Sequence, residues 1–205
     1  MLRVVLLWIN GPFGSGKTHT ADEIQRRLAG SVICDPEHLG FGLHRMTPLA
    51  LRGNFQDIPA WRQGTLEVLD HLLDKHEGDV IVPMTIIEPA YLAEILVPLR
   101  RSGHDVRHFT LLAERATILR RLRGRSLPMR RDTFAEGNID ACLDRLRHDE
   151  FAEHIRTDEL TIRQTADRIA ASAGLILNPG ASNFLRARAH RTWVTIKHIR
   201  AIKNI

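Results

Sequence analysis

From Arg3 to Ile9 the chain reads RVVLLWI, then runs through Asn10 into Gly11-Pro12-Phe13-Gly14-Ser15-Gly16-Lys17-Thr18. An unbroken run rich in valine and leucine is the pattern of a strand buried on both faces. The stretch after it, from about Lys17 to Ala29, places Ala21, Ile24 and Leu28 on one helical face and meets a stop at Gly30. Between strand and helix the chain matches G-x-x-x-x-G-K-[ST] in full and in the required context. Glycines there allow backbone conformations that turn successive amides inward as an anion cradle. The positive end of the helix aims at the same point. The motif therefore predicts ATP held along Gly11, Pro12, Phe13, Gly14, Ser15, Gly16, Lys17 and Thr18. Lys17 would reach the β- and γ-phosphates, and the Thr18 hydroxyl would bind Mg²⁺.

The rest of the chain alternates between strand and helix patterns. SVICD, ending at Asp35, DVIVPMT (79–85) and DVRHFTLLA (105–113) read as further strands. Between them lie the leucine-striped PAWRQGTLEVLDHLLDKHEG (59–78) and a helix begun by Pro89, which Pro98 is expected to kink or end early. ERATILRRLRGR (114–125) and NIDACLDRLRHDEF (138–151) read as helices, and TIRQ (161–164) is a capping box opening another. This alternation predicts an α/β fold of three layers, a parallel sheet between helices, of the P-loop NTPase and nucleoside-kinase type. Ligands in such sheets sit at the carboxyl ends of the strands. The loop after Ile9, Asp35 and Thr85 all fall there.

The 205 residues suit one such domain. Two cysteines, Cys34 and Cys142, without metal-like spacing, fit a reducing cytoplasm rather than a disulfide framework. The first apolar run is too short to span a bilayer and reads as no signal peptide. His104 and His108 stand four apart in a strand pattern with no third partner, and no H-E-x-x-H occurs, so a zinc site is not expected. The net charge of +5 is unevenly spread. Six cations and no acid lie between Ala181 and Ile205, which leaves the first 180 residues near neutral. No nucleic-acid partner is expected of the body. The chain accordingly divides into residues 1–180, the kinase-like domain, and 181–205, a basic amphipathic tail.

Where large NTPases place a magnesium-ordering acid after the third strand, this chain has Thr85 and no acid before Glu88. The strand-end carboxylate is Asp35. It can face an acceptor hydroxyl and take its proton, or cap the helix that Asp-Pro starts, and the two roles are compatible. Arg120, Arg121, Arg123, Arg125, Arg130 and Arg131 crowd the segment into an aperiodic stretch at 124–137, the pattern of a lid closing over a transferred phosphate. Arg121 and Arg125, one turn apart, are the expected catalytic arginines. On the acceptor side, Asp57, Trp61 and Arg62 of GNFQDIPAWRQG combine a carboxylate, an aromatic plate and a cation, though Trp61 equally suits a core position. NPG at 178–180 is a candidate turn beside the adenine.

WINGPFGSGKTHTA, DPEHLG, FQDIPAW, VIVPMT, HFTLLA, the arginine-rich segment and the basic tail together resemble the tunicamycin-resistance ATP-binding protein family. That resemblance implies a P-loop kinase-like fold, ATP binding, and protection against tunicamycin, a nucleoside antibiotic; phosphorylation of the drug is the expected route. Binding without turnover, or a kinase for an ordinary metabolite, are the other readings. It also implies peripheral association with the inner face of the cell membrane through the C-terminus. The tail's own pattern suits such a surface, since Val194, Ile196, Ile199, Ile202 and Ile205 interleave with Lys197, Arg200 and Lys203, with a helix packed on the body or a basic arm for nucleic acid as the alternatives.

Overall fold

A computed structural model describes residues 4–124, 139–151 and 153–179. Among these, five parallel strands form one sheet in the order β2-β3-β1-β4-β5. The strands are β1 (Val5–Asn10), β2 (Val32–Ile33), β3 (Val80–Pro83), β4 (Asp105–Leu112) and β5 (His154–Arg156). Helices α1 (Lys17–Arg27), α2 (Glu37–Met46), α3 (Pro59–Lys75), α4 (Pro89–Arg101), α5 (Arg115–Arg123), α6 (Ile139–Leu146) and α7 (Ile162–Ser172) connect and cover it.

The central strand explains the architecture. All six residues of β1 are buried. Successive side chains of a strand face opposite ways, so Leu6 and Trp8 enter one core with Leu69, Val80, Val82 and Ile95, while Val5, Leu7 and Ile9 enter another with Ile24, Ile81 and Ile169. The first core packs beneath α3 to α6 and the second beneath α1 and α7. Burying each large side chain stabilises the fold by about 1.5–3 kcal/mol, which is why the strand with helices on both faces is also the most apolar. β1 pairs with β3 from Leu6↔Val80 to Ile9↔Pro83 and with β4 from Val5↔Asp105 to Asn10↔Thr110. That register brings the ends of β1 and β3 together at the phosphate loop.

The expected strand-helix alternation is present, with four differences. β5 was not expected, because three residues, HIR, of which only Ile155 is buried, carry no usable period; their pairing with Thr110–Leu112 makes them a strand. Helix α2 begins at the Asp-Pro start that the sequence offered, but its extent was not expected, since its two glycines obscure the pattern. Gly40 lies so close to the Phe55 ring that a Cβ would come within 2.6 Å of it, so the glycine is what lets α2 dock. Helix α4 runs through Pro98 to Arg101. Proline forfeits one bond to the carbonyl four residues back, that of exposed Glu94, and the buried stripe Leu92, Ile95, Leu96 and Leu99 carries the helix past it. The stretch 138–151 is two pieces, α6 and a 3₁₀ turn at Asp149–Phe151. The capping box is present, with Thr161 Oγ1 accepting from Gln164 N and the Gln164 side chain accepting from Thr161 N.

Arg125, Arg130, Arg131, the expected lid and the basic tail lie outside the described residues. Among the described residues no helix is long and apolar enough to cross a membrane.

Leu7 is fully buried between the sheet and α1. Leu7→Ala is expected to lower unfolding free energy by about 3 kcal/mol, read as an earlier urea midpoint with an unchanged slope.

Candidate active site

The cradle is built by backbone. Gly11, Gly14 and Gly16 have φ of 143°, 81° and 103°. At Gly11 a side chain is barred twice, since a Cβ would stand 2.6 Å from Leu111 O and 2.7 Å from Ser15 Oγ. No side chain caps α1 at Gly16, so the first-turn amides point into the loop as an anion site. Ser15 is buried and its hydroxyl has no partner. A buried orphan hydroxyl costs about 1–3 kcal/mol, and one placed in the loop fits a ligand rich in acceptor oxygens. Lys17 is also buried; its Nζ donates to Pro12 O at 3.1 Å and stands 5.7 Å from the centre of the Phe13 ring. Thr18, in the first turn of α1, is half-exposed. Among the described residues no three His, Cys, Asp or Glu side chains gather to hold a metal. Mg²⁺ on a nucleotide is held through phosphate oxygens, water and one or two protein oxygens, and the Thr18 hydroxyl offers one such oxygen. The residues therefore fit a magnesium nucleotide on Gly11–Thr18.

The loop is fastened to the sheet by residues that the motif does not contain. Asn10 Oδ1 accepts from Gly11 N at 2.8 Å and Ile86 N at 3.0 Å, while its Nδ2 donates to Ile86 O at 2.8 Å. Thr85 Oγ1 donates to Gly11 O at 2.8 Å. The position where an acid was sought thus carries a hydroxyl that ties down the first glycine. Asn10 went unnoticed because a polar residue ending an apolar strand looks like ordinary loop entry.

Arg121 is brought to this loop. Its Nη1 donates to Thr157 Oγ1 at 3.0 Å and reaches Ser15 O at 3.4 Å, and its Nη2 donates to Thr157 O at 2.5 Å. Burial lowers its pKa, with Asp158 opposing the shift. The guanidinium clamps the phosphate loop to the exit of β5. Arg120 and Arg123 are exposed.

Asp35 follows β2 and accepts from Glu37 N at 3.0 Å, so it does brace the start of α2. It also lines a cavity of about 430 Å³ beside Cys34, Leu39, Thr65 and Leu72. The sequence did not single out Glu37, in the first turn of α2. Burial, and then the neighbouring Asp35 carboxylate, push its carboxyl up to about 7, with the Lys17 ammonium opposing. Glu37 thus sits beside Asp35 and in the field of the phosphate-loop lysine, and its carboxyl titrates near neutrality. Burial and Asp35 also raise the Cys34 thiol to about 11, so it is not a nucleophile.

The remaining predicted residues are placed as follows. Arg62 is buried, donating from Nε to Glu94 Oε2 and from Nη1 to Gln56 O, both at 2.5 Å, with its guanidinium 4.2 Å from the Tyr91 ring centre. It braces the acceptor-side loop. Asp57 is exposed and accepts from Tyr91 Oη at 3.1 Å. Trp61 takes the core position: it is 0% exposed, and its Nε1 donates to Pro36 O at 3.0 Å. Its ring offers no face to a ligand. Asn178 does not sit by the phosphate loop. It exchanges main-chain contacts with Arg27 (its N to Arg27 O at 2.8 Å, its O from Arg27 Nε at 2.9 Å) at the far end of α1, about 15 Å from Lys17 along the helix.

A parallel sheet of order 2-3-1-4-5 with a phosphate loop after β1 and a carboxylate after β2 defines a P-loop kinase-like protein. The segment 6–149 matches the family described as AAA domain. The tunicamycin resistance protein of Deinococcus radiodurans is 38% identical over 87% of this chain and 100% of its own, with a TM-score of 0.73. The chain belongs to the tunicamycin-resistance family within this P-loop kinase-like class. A gluconokinase from Sinorhizobium meliloti shares the fold at 13% identity, covering 84% of this chain and 91% of its own with a TM-score of 0.59. So does a shikimate kinase from Bacteroides thetaiotaomicron, at 18% identity, 83% and 99% coverage and a TM-score of 0.54. No curated protein sequence matches the chain.

Because folded Glu37 holds its proton up to about pH 7, whereas an unfolded glutamate loses it near 4.3, the folded state binds the extra proton between those values. Its contribution to stability is present below about pH 4.3 and is lost as pH rises through about 7. Glu37→Gln is expected to flatten that decline, seen by comparing melting temperatures of the two proteins between pH 4.5 and 8.

Proposed function

We propose that the protein is an ATP-dependent small-molecule phosphotransferase whose acceptor is the nucleoside antibiotic tunicamycin. The observation that carries this reading is the pairing of a complete phosphate cradle with Asp35 at the exit of β2 and, beside it, Glu37 in the field of Lys17. A protein that only held nucleotide would not require those acids there. The 38% identical relative, a tunicamycin resistance protein, supports the choice of acceptor.

Bound Mg·ATP supplies the phosphoryl group. The amides of Gly11–Thr18 would hold its phosphates, Lys17 would neutralise charge on the β and γ positions, and the Thr18 hydroxyl would serve as a ligand to the metal. Lys17 must leave Pro12 O to do this, exchanging a neutral partner for an anionic one. Asp35 faces the acceptor hydroxyl and takes its proton. Arg121 adds a fixed positive charge against the loop, and Arg125 closes from the lid as a second cation. Asp57 and Tyr91 form the polar edge that meets the acceptor, with Arg62 holding both in place. The two free thiols, Cys34 and Cys142, support a cytoplasmic setting.

The tail, residues 181–205, is read as a peripheral contact with an anionic membrane surface. Its alternating isoleucines and cations support this, since a nucleic-acid arm would not need the isoleucines.

Incubated with Mg·ATP, tunicamycin is expected to gain one phosphate by mass spectrometry. Retention of unmodified drug instead indicates sequestration, and no interaction indicates another acceptor. Asp35→Asn is expected to lower turnover by about 10²–10⁴-fold while calorimetric ATP affinity stays unchanged. Replacing Lys197, Arg200 and Lys203 by Glu is expected to abolish co-sedimentation with phosphatidylglycerol vesicles; unaltered sedimentation would remove the membrane assignment.

A further inference from the structure

The acceptor-side turn and the phosphate loop are joined by a continuous hydrogen-bonded chain. Gln56 lies in the 3₁₀ turn Phe55–Asp57, between α2 and α3. Its Nε2 donates to Thr85 O at 2.8 Å, and the hydroxyl of the same Thr85 donates to Gly11 O at 2.8 Å. Gly11 N in turn donates to Asn10 Oδ1, which also takes Ile86 N. On the other side Gln56 O accepts from Arg62 Nη1, and Gln56 N donates to Asn54 Oδ1 at 3.1 Å. Three of the four polar groups of Gln56, its main-chain N and O and its Nε2, are therefore engaged, one of them across to the end of β3.

We propose that Gln56 is a positioning residue that sets the acceptor-side turn in register with the phosphate cradle, so that filling one side strengthens binding on the other. This rests on the phosphotransferase reading. The physical case is geometric. The turn Phe55–Asp57 carries Asp57, and it reaches the sheet through the Gln56 amide at Thr85 O. Thr85 is buried and holds the first glycine of the cradle. A nucleotide that orders Gly11 also orders Thr85, and with it the partner of Gln56. An acceptor seated against the turn then meets a loop whose freedom has already been removed. Binding on the two sides is linked, and linkage is reciprocal: ATP must improve acceptor affinity by the factor by which acceptor improves ATP affinity.

Gln56→Met keeps the length and removes the donor. Its acceptor KM with tunicamycin is expected to rise about 10-fold, the effect of losing one such bond, with the affinity for ATP alone unchanged. In calorimetry the gain in tunicamycin affinity caused by a non-hydrolysable ATP analogue is expected to vanish. General loosening of the fold would instead weaken ATP and tunicamycin alike, and either that pattern or wild-type values throughout would overturn the proposal. If the wild-type protein neither modifies nor binds tunicamycin, the assignment of that acceptor fails. The positioning role is then judged by amide hydrogen exchange. With ATP analogue bound, residues 54–57 must become protected in the wild type and stay unprotected in Gln56→Met; equal protection in both overturns it. Should Gln56→Met not fold, Gln56→Asn, which keeps the amide but falls short of Thr85 O, is subject to the same readings.

Discussion

The backbone junction where β1 becomes the phosphate loop depends on Asn10. Its amide satisfies Gly11 N, Ile86 N and Ile86 O, all of them in the buried interior where an unpaired group is costly. These bonds stitch the end of β1 to the chain leaving β3, and Thr85 adds a fourth from its hydroxyl to Gly11 O. A glycine-rich loop left to itself has many conformations. Here its first residue is pinned on both its amide and its carbonyl, and its middle is held by Arg121 at Ser15 O. The first and middle residues of the cradle are therefore held by the protein's own groups. That lowers the ordering cost of binding, which is the general basis of preorganised affinity.

The region around the turn Phe55–Asp57, proposed to meet the acceptor, follows a different design. Its polar residues are held mostly by one another: Arg62 by Glu94 and Tyr91, Tyr91 by Asp57, and Gln56 by Asn54, Arg62 and Thr85. Arg62 is buried, and desolvating a guanidinium is tolerated because its donors meet a carboxylate and a carbonyl and its face meets an aromatic ring. The carboxylates at the start of α2 stand in the opposite situation. Asp35 and Glu37 are near enough to repel, burial disfavours charge on Glu37, and only Lys17 opposes both effects. When phosphates draw Lys17 toward themselves, the balance at this pair shifts. The two sides of the site are thus connected by charge as well as by hydrogen bonds.

How much of this was legible in the sequence depends on whether a residue acts through a local pattern or a distant partner. The phosphate loop was legible because its residues lie in unbroken order and its glycines are required by local backbone geometry. Strands β1, β3 and β4 and helices α1, α3 and α7 were legible from period and capping. Strand β5 was not, because its identity comes from β4 rather than from its own three residues. Helix α4 continues past Pro98 because of a buried apolar stripe that outweighs one missing bond. Trp61 was open between ligand plate and core, and its zero exposure decided for the core. Asn178 looked like a base contact in sequence, but Arg27 holds it at the far end of α1.

Sequence by itself determined the order of elements, the anion cradle and the residues that must line it, because each follows from contacts within a few residues of chain. Only the tertiary structure decided what Asn10, Thr85, Gln56, Arg62 and Glu37 do. Each of them acts on, or answers to, groups up to seventy-six positions away, and spacing along the chain carries no record of which distant backbone atoms the sheet will bring within 3 Å or of how far burial will move a carboxyl group's proton.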